Sequence, residues 1–315
     1  MSIINNDKAG SHIESLFLLD RLISDFSRSK PDAFLTEAQI KENCVPPYLL
    51  LETSKDEIGQ YKIKTNPTRK LKESLDFWRE QGLWQTNEQG DVRAWPELEC
   101  GDNLPARLLK LIASKQYDFL HGTKIEPLLR YLALFLAIDK HTMVGKQVFN
   151  REEASRLISS VVDTTNVGRM NLNTSELKGF FEYAYVLGFL EHVDKENYFV
   201  DPTCALNVLL SANLTVNEEL PCEAFLARLN QNLPIFDQGE YRQLIEETVV
   251  RDNDQWTSEQ GIRLSASLSI ALHRLRRQGV LTFRMGSDSA TRFHLTLPIA
   301  DNTVITHLTY LGTQA

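Results

Sequence analysis

The chain has 315 residues, a formal net charge of −8 and a pI near 5.5, long enough for two or three domains with a real core each. Its 42% apolar and 24% charged residues are ordinary for a globular protein. The acidic balance excludes a chain that is basic all over, as a non-specific nucleic-acid coat is, but leaves room for a local basic face.

Four scattered cysteines, Cys44, Cys100, Cys204 and Cys222, form no C-x-x-C and read as buried thiols in a reducing compartment. The opening MSIINNDKAGSHIES lacks the basic-then-apolar build of a secretory signal. The most apolar run, LLRYLALFLAI (128–138), contains Arg130, precedes Asp139 and is too short to span a bilayer. A soluble, cytoplasmic protein is the expectation.

In chain order, HIESLFLLDRLISDF (12–26) and TEAQIKEN (36–43) read as helices. They are followed by LKESLDFWREQGLWQTNEQGDVRAWP (71–96), where a helical stripe ends at Gly82. Leu83-Trp84 and a hairpin closed by Pro96 come next. Leu71, Leu75 and Trp78 are the buried stripe of this third helix. Its outer face mixes Arg69, Lys70 and Lys72 with Glu73, Asp76 and Glu80. Helical spacing pairs Glu73 with Arg69 or Lys70 and Asp76 with Lys72, a largely self-compensated face. The segment YKIKTNPTRK (61–70) still concentrates Lys62, Lys64, Arg69 and Lys70, and offers a contact to a DNA backbone.

The same order recurs after a connecting helix or linker at 101–122. IEPLLRYLALFLAID (125–139) and NREEASRLISSVVD (150–163) are helices, the latter capped by Asn150. LKGFFEYAYVLGFLEHVDKENYFVDP (177–202) then runs into Gly188, Phe189-Leu190 and a hairpin closed by Pro202. Leu177, Phe181 and Ala184 point inward with Phe180 on the rim. The outer face offers Gly179, Glu182, Tyr183 and Val186, and the hairpin carries Glu191, Asp194 and Glu196. Phosphates are repelled there. Exposed tyrosine and valine indicate packing against another part of the chain or against a partner.

The third occurrence follows a linker at 206–221. CEAFLARLNQ (222–231) and DQGEYRQLIEETVV (237–250) are helices, the second with Asp237 as N-cap and Glu240 completing a capping box. LSIALHRLRRQGVLTFRMGSDSATRFHLTLP (268–298) ends its helix at Gly279. Val280-Leu281 and two strands around a Gly-Ser-Asp-Ser turn follow, closed by Pro298. The tail TVITHLTYLG (303–312) alternates too loosely to assign. Helix, glycine, apolar pair and hairpin form the back half of a winged helix. The chain therefore reads as mostly α with small β-hairpins (α+β). Its three tandem winged-helix-like domains are at 1–100, 123–205 and 222–300, with a C-terminal tail at 301–315.

The third domain carries the functional signal. Leu268, Ala271, Leu272 and Leu275 form its core stripe. Ile270, His273, Arg274 and Arg277 lie opposite, with Ser267 on a flank and Arg276 near the rim. Across 257–297 six arginines face only Glu259 and Asp288. Arg274 and Arg277, beside His273, suit a DNA groove; Arg276, Arg284 and Arg292 suit phosphates, and Ser267 can donate to one. A solvated face whose cations favour the helix dipole is the bland alternative.

No nucleotide cradle, zinc spacing, nucleophile elbow or H-E-x-x-H occurs, and the seven histidines are dispersed. A chain without catalysis, cofactor or metal is the expectation.

The segments LPIFDQGEYRQLIEE (233–247), LSIALHRLRRQGVLTF (268–283) and SDSATRFHL (287–295) resemble the DpdG family over roughly residues 222–298. That family is encoded in bacterial gene clusters that insert deazapurine bases into DNA and restrict DNA lacking them. The resemblance implies an accessory component of a modification, restriction or antiviral defence system. The expected partners are duplex DNA and proteins of the same gene cluster, with no membrane and no small-molecule cofactor. The alternative is a scaffold or dimerisation module in a larger protein complex that does not touch DNA.

Overall fold

The structure is a computed structural model. It describes residues 3–4, 12–45, 51–55, 57–63, 68–96, 103–115, 126–142, 148–161, 172–248, 263–286, 291–297 and 303–312. It is mostly helical with small antiparallel sheets, and falls into two compact units, residues 1–111 and 112–315. The second and third expected domains thus share one unit.

In the first unit, helix α1 (Ile13–Ser29) buries Leu16, Leu19 and Ile23 at helical spacing. Leu35 then forms an antiparallel bridge to Val92. Helix α2 (Glu37–Cys44) starts in a capping box: the Thr36 side chain accepts from the Gln39 N–H and Gln39 reaches back to Thr36. A hairpin, β1 (Leu51–Lys55) and β2 (Tyr61–Ile63), separates it from α3 (Arg69–Gln81), which buries Leu71, Leu75 and Trp78 as the periodicity predicts. Strands β3 (Gln85–Thr86) and β4 (Val92–Arg93) follow, then α4 (Leu104–Ala113) within the expected connecting segment.

One polar cluster lies inside this unit. Asp20 on α1 is 5% exposed. Its Oδ1 accepts from Trp84 Nε1 at 3.0 Å and from Arg107 Nη1 at 3.0 Å, and its Oδ2 accepts from Arg107 Nη2. A buried carboxylate is tolerated only when paired and hydrogen-bonded, and here an indole and a two-pronged guanidinium do both.

The second unit repeats the order twice. Helix α5 (Glu126–Thr142) is buried from Leu128 to Ala137 except Arg130. Phe149 bridges Tyr198. Helix α6 (Arg151–Val161) begins after Asn150, which exchanges capping hydrogen bonds with Glu153 as expected. Helix α7 (Thr174–Val186), capped by Asn173, leads to β5 (Leu190–His192) and β6 (Tyr198–Val200).

The segment read as the linker 206–221 is structured. Helix α8 (Thr203–Asn213) buries Leu206, Leu209 and Leu210, and β7 (Glu218–Pro221) follows it. Next come α9 (Cys222–Asn232), α10 (Glu240–Thr248), α11 (Ala266–Arg277), β8 (Leu281–Arg284), β9 (Phe293–His294), β10 (Val304–Ile305) and β11 (His307–Tyr310). The expected β8–β9 hairpin does not form. Instead the tail supplies β11, which pairs with β7 on one side and β8 on the other, while β9 pairs with β10. Pro298 and most of the Gly-Ser-Asp-Ser turn lie outside the described residues. Asp237 does not cap α10, because Gly239 holds that position through its carbonyl to the Gln243 N–H. Asp237 Oδ2 instead accepts from Ser265 N at 2.7 Å, just before α11.

Two regularities run through all three modules. The strand that precedes the second helix, the strand after the third helix and the last strand pair in one spatial order, with the last strand central. This gives Leu35–β4–β3, Phe149–β6–β5 and β7–β11–β8. The third helices α3, α7 and α11 also end alike. Gly82, Gly188 and Gly279 sit at φ +83, +82 and +73. Each glycine N–H reaches the carbonyl three residues back. The next residue's N–H reaches five back: Leu83 to Trp78, Phe189 to Ala184, Val280 to Leu275. This is a Schellman closure, which needs the left-handed conformation that glycine adopts without a Cβ penalty. It turns the following apolar pair into the core, where all six residues are buried.

Candidate nucleic-acid interface

A helix that reads a groove from this position contacts bases through its N-terminal residues. The first turn of each third helix is therefore the decisive place.

In α11 that turn is enclosed. Ala266, Ser267, Leu268 and Ser269 are at most 1% exposed. Ser267 Oγ donates to the Leu136 carbonyl of α5 at 3.3 Å. Ser269 Oγ accepts from Thr296 N at 2.9 Å, and Thr296 Oγ1 donates to the Leu264 carbonyl at 2.7 Å. Ser267 thus lies in the interior, and the phosphate contact expected of it is corrected to a helix–helix hydrogen bond.

Arg274 is also engaged within the chain. Its Nη1 meets Asp201 Oδ2 and lies 3.2 Å from Glu191 Oε1, and its guanidinium sits 5.3 Å from the Phe199 ring centre. Asp201 is 2% exposed and turns its other oxygen to the Thr203 N–H and hydroxyl, at the start of α8. The arginine thereby ties the third helix of one module to the hairpin of the module before it. Arg274, expected to face a DNA groove, is placed against these two carboxylates, with its side chain 42% exposed.

The remaining basic residues of this module divide by position. His273 is half-buried. Arg276 is exposed over the Phe283 ring at 5.2 Å, and Arg277 is exposed with no ion-pair partner among the described residues. Both occupy the last turn, where cations complement the helix dipole. Arg284 forks onto Glu219, Nε to Oε1 at 2.7 Å and Nη2 to Oε2 at 3.1 Å. That hydrogen bond holds the Glu219 carboxyl below its usual range and raises Arg284. Arg292 is exposed.

Helix α7 opens Thr174, Ser175 and Lys178 to solvent, but Lys178 lies 3.5 Å from Glu182 and the Asn173–Glu176 capping box occupies the first N–H groups. Gly179 and Tyr183, read as outer, are buried, Tyr183 completely. The exposed aromatic of α7 is Tyr185.

Helix α3 differs. Its first turn holds no acid and exposes Arg69, Lys70 and Lys72. Arg69 Nε lies 3.2 Å from Glu73, and Lys72 Nζ lies 3.2 Å from Glu37 of α2 rather than against Asp76, which takes Arg79 at 2.6 Å. Lys70 is exposed with no ion-pair partner among the described residues. Hydrogen bonds from Lys41 first, and then from Lys72, hold Glu37 below its ordinary range. The sequence marked Arg69 and Lys70; what it lacked was the knowledge that α11 buries its own first turn.

Residues 1–289 match the family described as DpdG-like. The chain belongs to the DpdG-like family. The match spans nearly the whole chain, well beyond the C-terminal third that carried the resemblance. Membership of the DpdG-like family points to a role in a DNA-modification gene cluster. No curated protein and no solved structure gives a significant match. Among the described residues, no helix is long and apolar enough to cross a membrane, and no group of three or more His, Cys, Asp or Glu side chains is placed to hold a metal ion.

Proposed function

We propose that the chain is a non-enzymatic adaptor of a DNA-modification and restriction system, built from three winged helices. Its first module touches the duplex backbone; the second and third serve as a fused scaffold for proteins of the same gene cluster. The shared strand order and the three Schellman closures support the winged-helix reading. One observation carries the functional part. Of the three equivalent helices, α3 has an exposed first turn with three cations, Arg69, Lys70 and Lys72, of which Lys70 stands outside the ion pairs to Glu73 and Glu37, while α11 buries its first turn and α7 has one lysine, paired with Glu182. Cations there suit phosphates, which position a protein on DNA without reading sequence. Arg276, Arg277 and Arg292 add to the field but lie away from a helix N-terminus.

The test is duplex binding by fluorescence anisotropy at two salt concentrations, using the full chain. Arg69→Glu with Lys70→Glu is expected to lower affinity at least ten-fold and to reduce the salt slope by about two units. Arg276→Glu with Arg277→Glu is expected to change little. Equal losses from both pairs would return the contact to the third module.

A second reading, a scaffold without DNA contact, is favoured by the ion pairs that Arg69 and Lys72 already make with Glu73 and Glu37. It predicts no duplex binding by the unmodified chain at low salt.

A further inference from the structure

The second module shows a surface that the DNA reading does not use. Helix α7 carries Lys178, Glu182 and Tyr185 on one stripe at helical spacing. Tyr185 is 47% exposed and meets the His192 ring edge-on, with centroids 4.3 Å apart. His192 lies in turn 4.4 Å from Tyr198. Tyr198 is buried, accepts from Arg151 Nη2 at 3.3 Å and packs on Phe181 at 4.7 Å. A continuous run of rings therefore leads from the core to the surface and holds the two outer ones in place. Val193, next in the hairpin, is 56% exposed.

The rim of this patch is acidic. The same helix and hairpin carry Glu182, Asp194 and Glu196, against Lys178, which Glu182 engages, and Lys195 at the hairpin tip. Asp194 closes the turn: its carboxylate accepts from the Asn197 side chain at 2.7 Å and from the Glu196 and Asn197 N–H groups at 2.9 Å each. These bonds hold its carboxyl below the usual range although it remains in solvent, so the rim stays charged. Rigid aromatic anchors inside a polar rim are the usual anatomy of a binding hot spot, because little side-chain freedom is lost on contact.

We propose that Tyr185, His192 and Val193 form a docking site for a basic, aliphatic-bearing segment of a partner protein. A lysine or arginine of the partner would lie over the Tyr185 ring and between Glu196 and Asp194, while a neighbouring aliphatic side chain covers Val193. Charge complementarity selects this occupant and repels nucleic acid. The proposal supplies a chemistry for the partner of the adaptor reading, and it rests on that reading only for the existence of a partner.

The test needs no DNA, so its failure is separable from failure of the DNA contact. The peptide acetyl-Leu-Arg-Leu-Lys-Leu-amide, and its counterpart with glutamate at both charged positions, are titrated into the full chain while His192 ring resonances are followed. Saturable shifts with the basic peptide alone are expected. Binding should weaken at least ten-fold in Tyr185→Ala and in Glu196→Lys, both surface changes that leave the circular dichroism spectrum intact. Equal response to both peptides, no response, insensitivity to Tyr185→Ala, or displacement of the peptide by duplex DNA would each overturn the proposal. Self-association of the chain that Tyr185→Ala abolishes would overturn it in favour of a second copy.

Discussion

Replacing Arg107 by Met is the sharpest test of how the first unit is held together. Arg107 and Asp20 keep side-chain exposures of only 8% and 7%, so solvent cannot take over from a lost partner. The substitution leaves the Asp20 carboxylate with the Trp84 N–H and no counter-charge. Removing one member of such a buried pair costs about 3–5 kcal/mol. With a urea dependence of about 1.5 kcal/mol per M for a unit of this size, the midpoint should fall by about 2–3 M. Tryptophan fluorescence reports it, since Trp78, Trp84 and Trp95 belong to this unit and Trp256 alone lies elsewhere. Adding Asp20→Asn should recover most of the loss: the uncompensated charge is gone and the amide oxygen still accepts from Trp84. A single mutant within 1 kcal/mol of the parent chain, or a double mutant no better than the single, would refute the reasoning.

Three further outcomes follow from the geometry. Arg274→Ala should cost less than Arg107→Met, about 1–2 kcal/mol, because the fully buried Asp201 carboxylate keeps the Thr203 N–H and hydroxyl, and truncating the 42%-exposed Arg274 side chain opens it to water; urea unfolding of the second unit measures it. Gly188→Ala should destabilise the second unit well beyond what Gly82→Ala costs the first, each read by urea unfolding of its own unit. Both positions share a left-handed φ, worth about 1–2 kcal/mol, but a Cβ on Gly188 would lie 2.8 Å from the Ala205 nitrogen, whereas one on Gly82 meets nothing within 4 Å. Cys222 should resist Ellman's reagent in the folded chain at pH 8, since burial pushes its thiol up to about 12, while exposed Cys204 reacts, slowed by its own raised pKa.

Much of the architecture was legible because it depends on local signals. The three glycines, the apolar pairs after them and the Asn150 cap each act within a few residues, and each sits where the sequence places it. Face assignment failed where contrast was lacking. GFFEYAYV in α7 is apolar almost all round, so the period could not separate buried Tyr183 from exposed Tyr185. Helix α8 was read as linker because α9 and α10 already filled the two expected supporting places, whereas α10 is an additional helix packed on α5. Non-local pairings were out of reach. Nothing near Arg274 announces that Asp201, 73 residues earlier, will take it, and nothing near His307 announces β7, whose partner residues lie 86 to 92 residues away. The basic character of the third module was legible as composition; the burial of the first turn of α11 and the pairing of Arg274 and Arg284 with carboxylates far away in sequence are tertiary facts.

The strand order of the third module also bears on how that module comes into being. Strand β11 lies between β7 and β8, which do not pair with each other, and it is the last of the three to leave the ribosome. During synthesis the two flanking strands must wait unzipped, with open hydrogen-bonding edges, until residues 307–310 arrive to join them. In the first two modules the closing strand follows its hairpin neighbour within a few residues. Assembly of the third is instead deferred until synthesis has passed residue 310, and a chain halted earlier would hold two lone strands where a sheet should be.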